Sequence, residues 1–126
     1  MLFDWNEYAT LAEELSKRDN EASLRTAISR IYYSTYHEAK AYLLDEGVPL
    51  STSDSSHKIV WNGYKNMGRS CRSVGMNGER LFDNRKKADY DDEVENISRL
   101  VEESFILARN ILVYLEQCKA SRASNG

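Results

Sequence analysis

Three side chains on one predicted helix have the types and spacing that phosphodiester chemistry needs. Arg30 and His37 are seven residues apart, with Tyr33 between them, so on an α-helix they lie on one ridge, about 10 Å apart along the axis. A guanidinium offers a fixed fork of donors for phosphate oxygens. An imidazole can take a proton from a ribose 2′-OH or give one to a leaving 5′-oxygen. The pattern therefore favours RNA cleavage without a metal, with Arg30 as the phosphate ligand and His37 as the general acid or base.

The face of this helix that carries the three side chains is predicted to point away from the core. Its apolar residues cluster on the opposite face, namely Leu24, Ile28, Ile31, Thr35, Ala39 and Tyr42. One helix supplies one Arg–His set, so a two-fold axis between two copies would supply paired acid and base groups. We therefore expect a homodimer. The spacing alone is equally compatible with ordinary packing and an exposed polar surface, and that alternative stays open here.

The elements that position these residues are all predicted to be helical, because apolar residues recur at helical spacing and no segment alternates as a strand does. The predicted helices cover about 5–18, 20–46, 57–67 and 79–88, followed by a last helix whose first turn carries the acidic run 89–95. The glycine-containing stretch 68–78 is predicted to be a loop. Short links between these helices favour an all-α, antiparallel up-and-down bundle of four or five helices. We expect one domain over 1–118 and a disordered polar tail over 119–126.

Charge and cysteine content limit the partners. The net charge is −3, yet residues 65–87 contain seven basic and two acidic side chains, enough to hold a few phosphates. The candidate RNA-binding residues of this zone are Arg80, Arg85, Lys86 and Lys87; a solvated surface with salt bridges is the alternative.

Cys71 and Cys118 have no nearby partner in the sequence, so we expect neither a zinc site nor a disulfide. With no apolar run long enough for a bilayer and no signal peptide pattern, we expect a cytoplasmic protein without metal, cofactor or membrane contact.

Three segments in order resemble a known family. They are SRIYYSTYHEAKAYLL (29–44), SSHK (55–58) and RKKADYDD (85–92), and together they are similar to the HEPN domain, in particular to small stand-alone HEPN proteins encoded beside a minimal nucleotidyltransferase. The resemblance implies a helical bundle that dimerises. For catalytic members it also implies an Arg-x(4–6)-His motif that cleaves RNA without a metal, and Arg30 and His37 have six intervening residues.

The other matched residues have two interpretations each. Arg85 and Asp89 are four residues apart, so they predict a surface salt bridge, whereas the resemblance places them at a helix end or along a cleft. His57 stands near a helix start and is interpreted as a supporting residue of the cap or the packing, with a catalytic base as the alternative. Tyr90 is interpreted as packing between helices or as a surface on which a base stacks.

The leading hypothesis from the sequence is a homodimeric, metal-independent endoribonuclease of a toxin–antitoxin or phage-defence system. In it Arg30 and His37 act on the RNA, while Tyr33 and the basic zone orient it. The alternative is a non-catalytic module that binds a nucleotidyltransferase or a larger defence complex. Nucleotide sensing by the basic zone is a third option.

Overall fold

The computed structural model describes residues 2–50 and 56–125. Within these ranges the chain forms five α-helices and no strand, so the predicted all-α bundle is confirmed. The helices are α1 Asn6–Ser16, α2 Glu21–Asp45, α3 Ser56–Lys65, α4 Arg69–Tyr90 and α5 Ile97–Asn125. None of the helices in the described part is both long and apolar enough to cross a membrane.

Helix α2 is the central element, and its two ends follow the signals in the sequence. The Asn20 side chain accepts a hydrogen bond from the Ser23 backbone N–H at 2.8 Å, which satisfies one of the free donors of the first turn. Past the other end, Gly47 has a φ of +79°, a conformation that glycine adopts without steric cost. All four other helices pack against α2. As a result α2 is buried on several sides, and the expectation of one buried stripe and one open face is wrong.

Helix α4 begins ten residues earlier than the sequence predicts. The predicted loop 68–78 is wrong, because residues from Arg69 onward belong to this helix. Gly75 and Gly78 lie where α4 approaches α3 most closely. A Cβ at Gly78 would collide with the Trp61 ring, and one at Gly75 with the Trp61 carbonyl oxygen. These glycines therefore permit close helix packing and do not break the helix.

Helix α5 differs from its prediction at both ends. The acidic run 89–95 does not form its first turn, since α4 continues to Tyr90 and α5 starts at Ile97. At the other end, helix continues to Asn125, through most of the 119–126 segment that the sequence predicts to be disordered. A salt bridge of 3.6 Å between Arg122 and Glu46 ties this last part of α5 to the end of α2.

A disulfide joins the start of α4 to the last third of α5. It links Cys71 to Cys118 across 47 positions of the sequence, and both residues are fully buried. The prediction of two unpaired cysteines is therefore wrong, because two cysteines far apart in sequence become neighbours when α4 and α5 pack in opposite directions. The cysteines therefore give no support to the expected cytoplasmic location.

Candidate functional site

Arg30 and His37 both contact aromatic residues at the start of α1. The His37 ring stacks on Trp5 with the ring centroids 3.5 Å apart and the planes 9° from parallel. The Arg30 guanidinium lies 4.7 Å from the Tyr8 ring centroid and 5.6 Å from that of Tyr33. Both residues are half-buried. The predicted ridge therefore exists, but α1 covers part of it.

The His37 imidazole is neutral at physiological pH. Burial lowers its pKa to about 4, and the neighbouring Lys40 and His57 act in the same direction. A neutral imidazole has a lone pair with which it can accept a proton. His37 is therefore in the protonation state that a general base requires.

A cleft of about 200 Å³ opens beside His37, between the segment that precedes α1 and the middle of α2. Phe3 and Asp4 line one side and Ser34 and Glu38 the other. Although two carboxylates line the same cleft as the imidazole, no group of His, Cys, Asp and Glu within the described ranges could hold a metal ion. Through this cleft a small polar group can reach the edge of the His37 ring.

A second arginine, Arg85 of α4, reaches the same ridge from the other side. It is only 8% exposed, its Nη2 donates a hydrogen bond to the Tyr33 hydroxyl, and its Nε lies 3.3 Å from Asp89 Oδ2. Ser29 Oγ donates to the same carboxylate oxygen at 3.3 Å and accepts from Arg30 Nη2 at 3.3 Å. The predicted Arg85–Asp89 salt bridge is present, but Arg85 is buried, so the pair does not lie on the surface and is part of a polar network that joins α4 to α2.

A second imidazole, that of His57, lies at the start of α3. Its ring is stacked on Phe82 with centroids 5.0 Å apart and planes 9° from parallel, and its centroid is 4.4 Å from that of Tyr36. Its Nδ1 is 2.7 Å from the Tyr32 hydroxyl oxygen. Burial lowers the pKa of His57, and the charges of Arg85 and Lys40 lower it further. His57 is thus packed, as the sequence suggests, and also neutral and held in one orientation.

These groups converge on Tyr33. The guanidinium carbons of Arg30 and Arg85 lie 5.6 and 5.1 Å from its ring centroid. The ring centroids of His37 and His57 lie 6.4 and 6.0 Å from it. One chain therefore places two guanidinium groups and two imidazoles around a single half-buried tyrosine. Helical spacing could not predict this arrangement, although the HK and RKKADY segments of the family resemblance already contained both additional residues.

The predicted basic zone does not form one surface. Arg80 is directed to α5, where it forms a 3.2 Å salt bridge with Glu103. Lys87 lines a cleft together with acidic residues of the link between α4 and α5. Lys86 Nζ lies 4.6 Å from the Phe82 ring centroid and pairs with Asp83. Only Arg85 and Lys86, of the four predicted RNA-binding residues, therefore lie near the site around Tyr33.

Tyr90 lies at the edge of the same site. Its side chain is 73% exposed, so it does not act as a packing tyrosine between helices. The Arg85 guanidinium carbon is 5.8 Å from its ring centroid. Tyr90 therefore presents an open aromatic face next to the buried arginine, as stacking on a base requires.

Comparison with known proteins gives a distant likeness. The chain is similar to a UPF0332 protein of Thermotoga maritima, with 29% identity over 72 residues. The match covers 57% of this chain and 54% of the relative, so the chain spans about half the length of the curated relative that it matches. No protein-family model matches the chain, and no solved structure matches it.

Proposed function

We propose that the protein is a HEPN-type, metal-independent endoribonuclease that acts as a homodimer. The observation that carries this proposal is the convergence of Arg30, Arg85, His37 and His57 around Tyr33. Two guanidinium groups suit a phosphodiester, and neutral imidazoles suit proton transfer at neutral pH. The likeness to a UPF0332 protein, from a family of small HEPN-type proteins, supports the assignment over about half of the chain.

The proposed reaction is transesterification within the RNA strand. The His37 imidazole takes the proton of a ribose 2′-OH while Arg30 holds the adjacent phosphate. The 2′-oxygen forms a bond to phosphorus and the bond from phosphorus to the 5′-oxygen breaks, which leaves a 2′,3′-cyclic phosphate. The departing 5′-oxygen takes a proton from water, and the His37 imidazolium gives its proton to the resulting hydroxide, which restores the neutral base. Exposed Tyr90 offers a surface for a neighbouring base.

The direct test is incubation of the purified protein with single-stranded RNA in EDTA. We expect cleavage by the wild type, a loss of about 100-fold or more in kcat/KM for His37→Ala, and a loss of about 10- to 100-fold for Arg30→Ala. Arg109→Ala is the matched control, since Arg109 is exposed on α5. No cleavage by the wild type, or equal cleavage by all four proteins, would remove the proposal.

The proposed role as a toxin or phage-defence effector has its own test in cells. We expect growth arrest when the wild type is induced and normal growth when His37→Ala is induced to the same protein level. Equal growth of the two strains would contradict the toxin role, whether or not the purified protein cleaves RNA. Light scattering of the purified protein tests the homodimer independently of activity.

A second candidate, a non-catalytic interaction module, is favoured by the contacts of α1. Trp5 covers one face of His37 and Tyr8 packs on Arg30, so both side chains also serve packing. On this view the protein binds a minimal nucleotidyltransferase or a larger defence complex. Co-expression with such a nucleotidyltransferase should then give a stable complex in size-exclusion chromatography. Charge reversal by Arg30→Glu or Lys40→Glu should break that complex, and no RNA product should form.

A further inference from the structure

The orientation and the hydrogen position of His57 are fixed by two buried side chains. The Trp61 indole Nε1–H donates to the Tyr32 hydroxyl oxygen at 3.1 Å, and the same oxygen lies 2.7 Å from His57 Nδ1. Trp61 and Tyr32 are both fully buried. Because burial raises the pKa of Tyr32, the phenol keeps its proton. A buried hydroxyl without an acceptor is costly, and His57 Nδ1 is the acceptor within reach.

This relay determines which nitrogen of the imidazole carries hydrogen. An indole N–H can only donate, so Tyr32 accepts from Trp61 and gives its own hydrogen to Nδ1 of His57. In a neutral imidazole, one nitrogen accepts and the other carries the hydrogen. His57 therefore has its hydrogen on Nε2. The ring is held between Phe82 and Tyr36, so this N–H group is a fixed donor and not a freely rotating one.

Two cationic groups, Arg85 and Lys40, lie close enough to His57 for their charges to lower its pKa. Lys40 Nζ lies 5.9 Å from the ring centroid of Tyr36, and Tyr36 in turn contacts both His57 and His37, with centroid distances of 4.4 and 5.2 Å. Arg85 is paired with Asp89, whereas Lys40 has no carboxylate partner among the residues that the structure describes. An anion near Tyr36 would thus meet a positive charge that no acidic side chain already neutralises.

We propose that His57 is a phosphate-binding residue, and that its Nε2–H donates to a phosphate oxygen of RNA beside Lys40 and His37 of the same chain. This inference rests on the proposed function. It adds that the two imidazoles of one binding site, His37 and His57, belong to the same chain. Tyr32 and Trp61 are positioning residues, since they act through His57. The ligand class is a phosphodiester of single-stranded RNA.

Binding of a non-cleavable probe tests the donor. The probe is a fluorescent, single-stranded 2′-O-methyl RNA, and its affinity is measured by anisotropy. His57→Phe keeps a ring between Phe82 and Tyr36 but lacks the N–H group, so we expect about tenfold weaker binding. His57→Gln retains an amide N–H near the position of Nε2 and should bind within about threefold of the wild type. Equal affinity of the wild type and His57→Phe, or no binding of the probe by the wild type, would overturn the inference.

The charge of Lys40 is tested with a matched pair of variants. Lys40→Gln should weaken binding of the same probe several-fold. Lys17→Gln should leave it unchanged, because Lys17 follows the end of α1 whereas Trp5, the neighbour of His37, precedes its beginning. An equal loss in both variants would show that net charge alone determines binding, which would contradict the proposed site.

The relay has a spectroscopic signature of its own. In the ¹⁵N NMR spectrum of the wild type at pH 7, we expect the His57 signals of an imidazole protonated at Nε2. In Tyr32→Phe, which keeps the ring but removes the hydroxyl, the population of this tautomer should fall. A hydrogen on Nδ1 in the wild type would disprove the relay.

Mixing two impaired variants separates this inference from the proposed function. If both imidazoles of a site belong to one chain, a mixture of His37→Ala and His57→Phe cleaves no faster than His57→Phe alone, whereas faster cleavage by the mixture would show that His57 serves the partner's site. Weaker probe binding by His57→Phe in a wild-type protein that does not cleave RNA would support the phosphate site and remove the nuclease. Cleavage that depends on His37 but not on His57 would support the nuclease and remove the phosphate site at His57.

Discussion

At the scale of single residues, the properties of His37 depend on the ring that it lies against. Face-to-face contact with Trp5 removes water from one side of the imidazole, and loss of hydration disfavours the charged form. The same contact that keeps His37 neutral also restricts the approach of a substrate to that face. Substrate must therefore approach the imidazole from its edge.

Removal of this contact should raise the pKa of His37. In Trp5→Ala we expect the pKa to move from about 4 toward its ordinary value of 6.5, because water regains access to the ring. Titration of the His37 ring by NMR measures the change. The acid limb of kcat/KM for RNA cleavage should move in the same direction, since it reports the base of the free enzyme. Tyr8→Ala, which removes a ring that contacts Arg30 instead, should leave the His37 pKa nearly unchanged, and an equal shift in both variants would contradict this assignment.

His37 should also make the stability of the protein depend on pH. In the unfolded chain the imidazole takes up a proton near pH 6.5, whereas the folded protein does so only near pH 4. The free energy of unfolding should therefore decrease as pH falls from about 6.5 toward 4 and be fully retained above that range. Urea unfolding of the wild type and His37→Gln at pH 7.5 and pH 5 measures the effect. The wild type should lose more stability than the variant on acidification, and parallel losses would argue against a depressed pKa.

At the scale of helices, the position of α3 against α4 depends on two glycines. A methyl group at Gly78 would meet the Trp61 ring, and overpacking of this kind costs about 1–3 kcal/mol. We expect Gly78→Ala to lower the free energy of unfolding by about this amount, although alanine favours helix by about 1 kcal/mol.

Gly63→Ala is the control, because its added carbon would lie 3.2 Å from Leu43 Cδ1, the end of a flexible side chain. We expect that variant to be neutral or more stable by up to about 1 kcal/mol. Urea titration compares the two, and similar losses of stability in both would contradict the close contact at Trp61.

The same glycines explain which helices could be predicted from the sequence. The start and end of α2 follow from Asn20 and Gly47, whose effects are local and therefore readable from neighbouring residues. The start of α4 is not local. Glycine in a helix interior is unfavourable by itself, and burial of Cys71 and Val74 in the core, with the close packing of Gly75 and Gly78 on Trp61, accounts for helix there. The sequence pattern alone therefore predicted a loop.

At the scale of the whole molecule, the disulfide closes a loop that contains nearly all of α4 and more than half of α5. Because Cys71 and Cys118 are 47 positions apart in the sequence, restriction of the unfolded chain predicts a stabilisation of about 4 kcal/mol. The double variant Cys71→Ala/Cys118→Ala should lose about this amount in urea unfolding. Reductant should lower the stability of the wild type toward that of the variant and leave the variant unchanged. A variant as stable as the oxidised wild type would show that the cross-link contributes nothing.

The site could be predicted from the sequence only where a single helix determines it. The spacing of Arg30, Tyr33 and His37 on α2 placed them on one ridge, as the structure has them. The approach of Arg85 and His57 depends on how α4 and α3 pack on α2, and no local pattern encodes that packing. By contrast, helix geometry alone directs Arg85, Lys86 and Lys87 to different sides of α4, because successive residues of an α-helix are about 100° apart around its axis.

The buried contact between Trp61 and Gly78 has a consequence beyond stability. Trp61 is one helical turn from His57 on α3, and it also donates the first hydrogen bond of the relay. A side chain added at the glycine would displace the indole, and the indole would then no longer orient the phenol that determines the imidazole tautomer. The absence of one methyl group in the interior thus controls which nitrogen near the surface bears a proton.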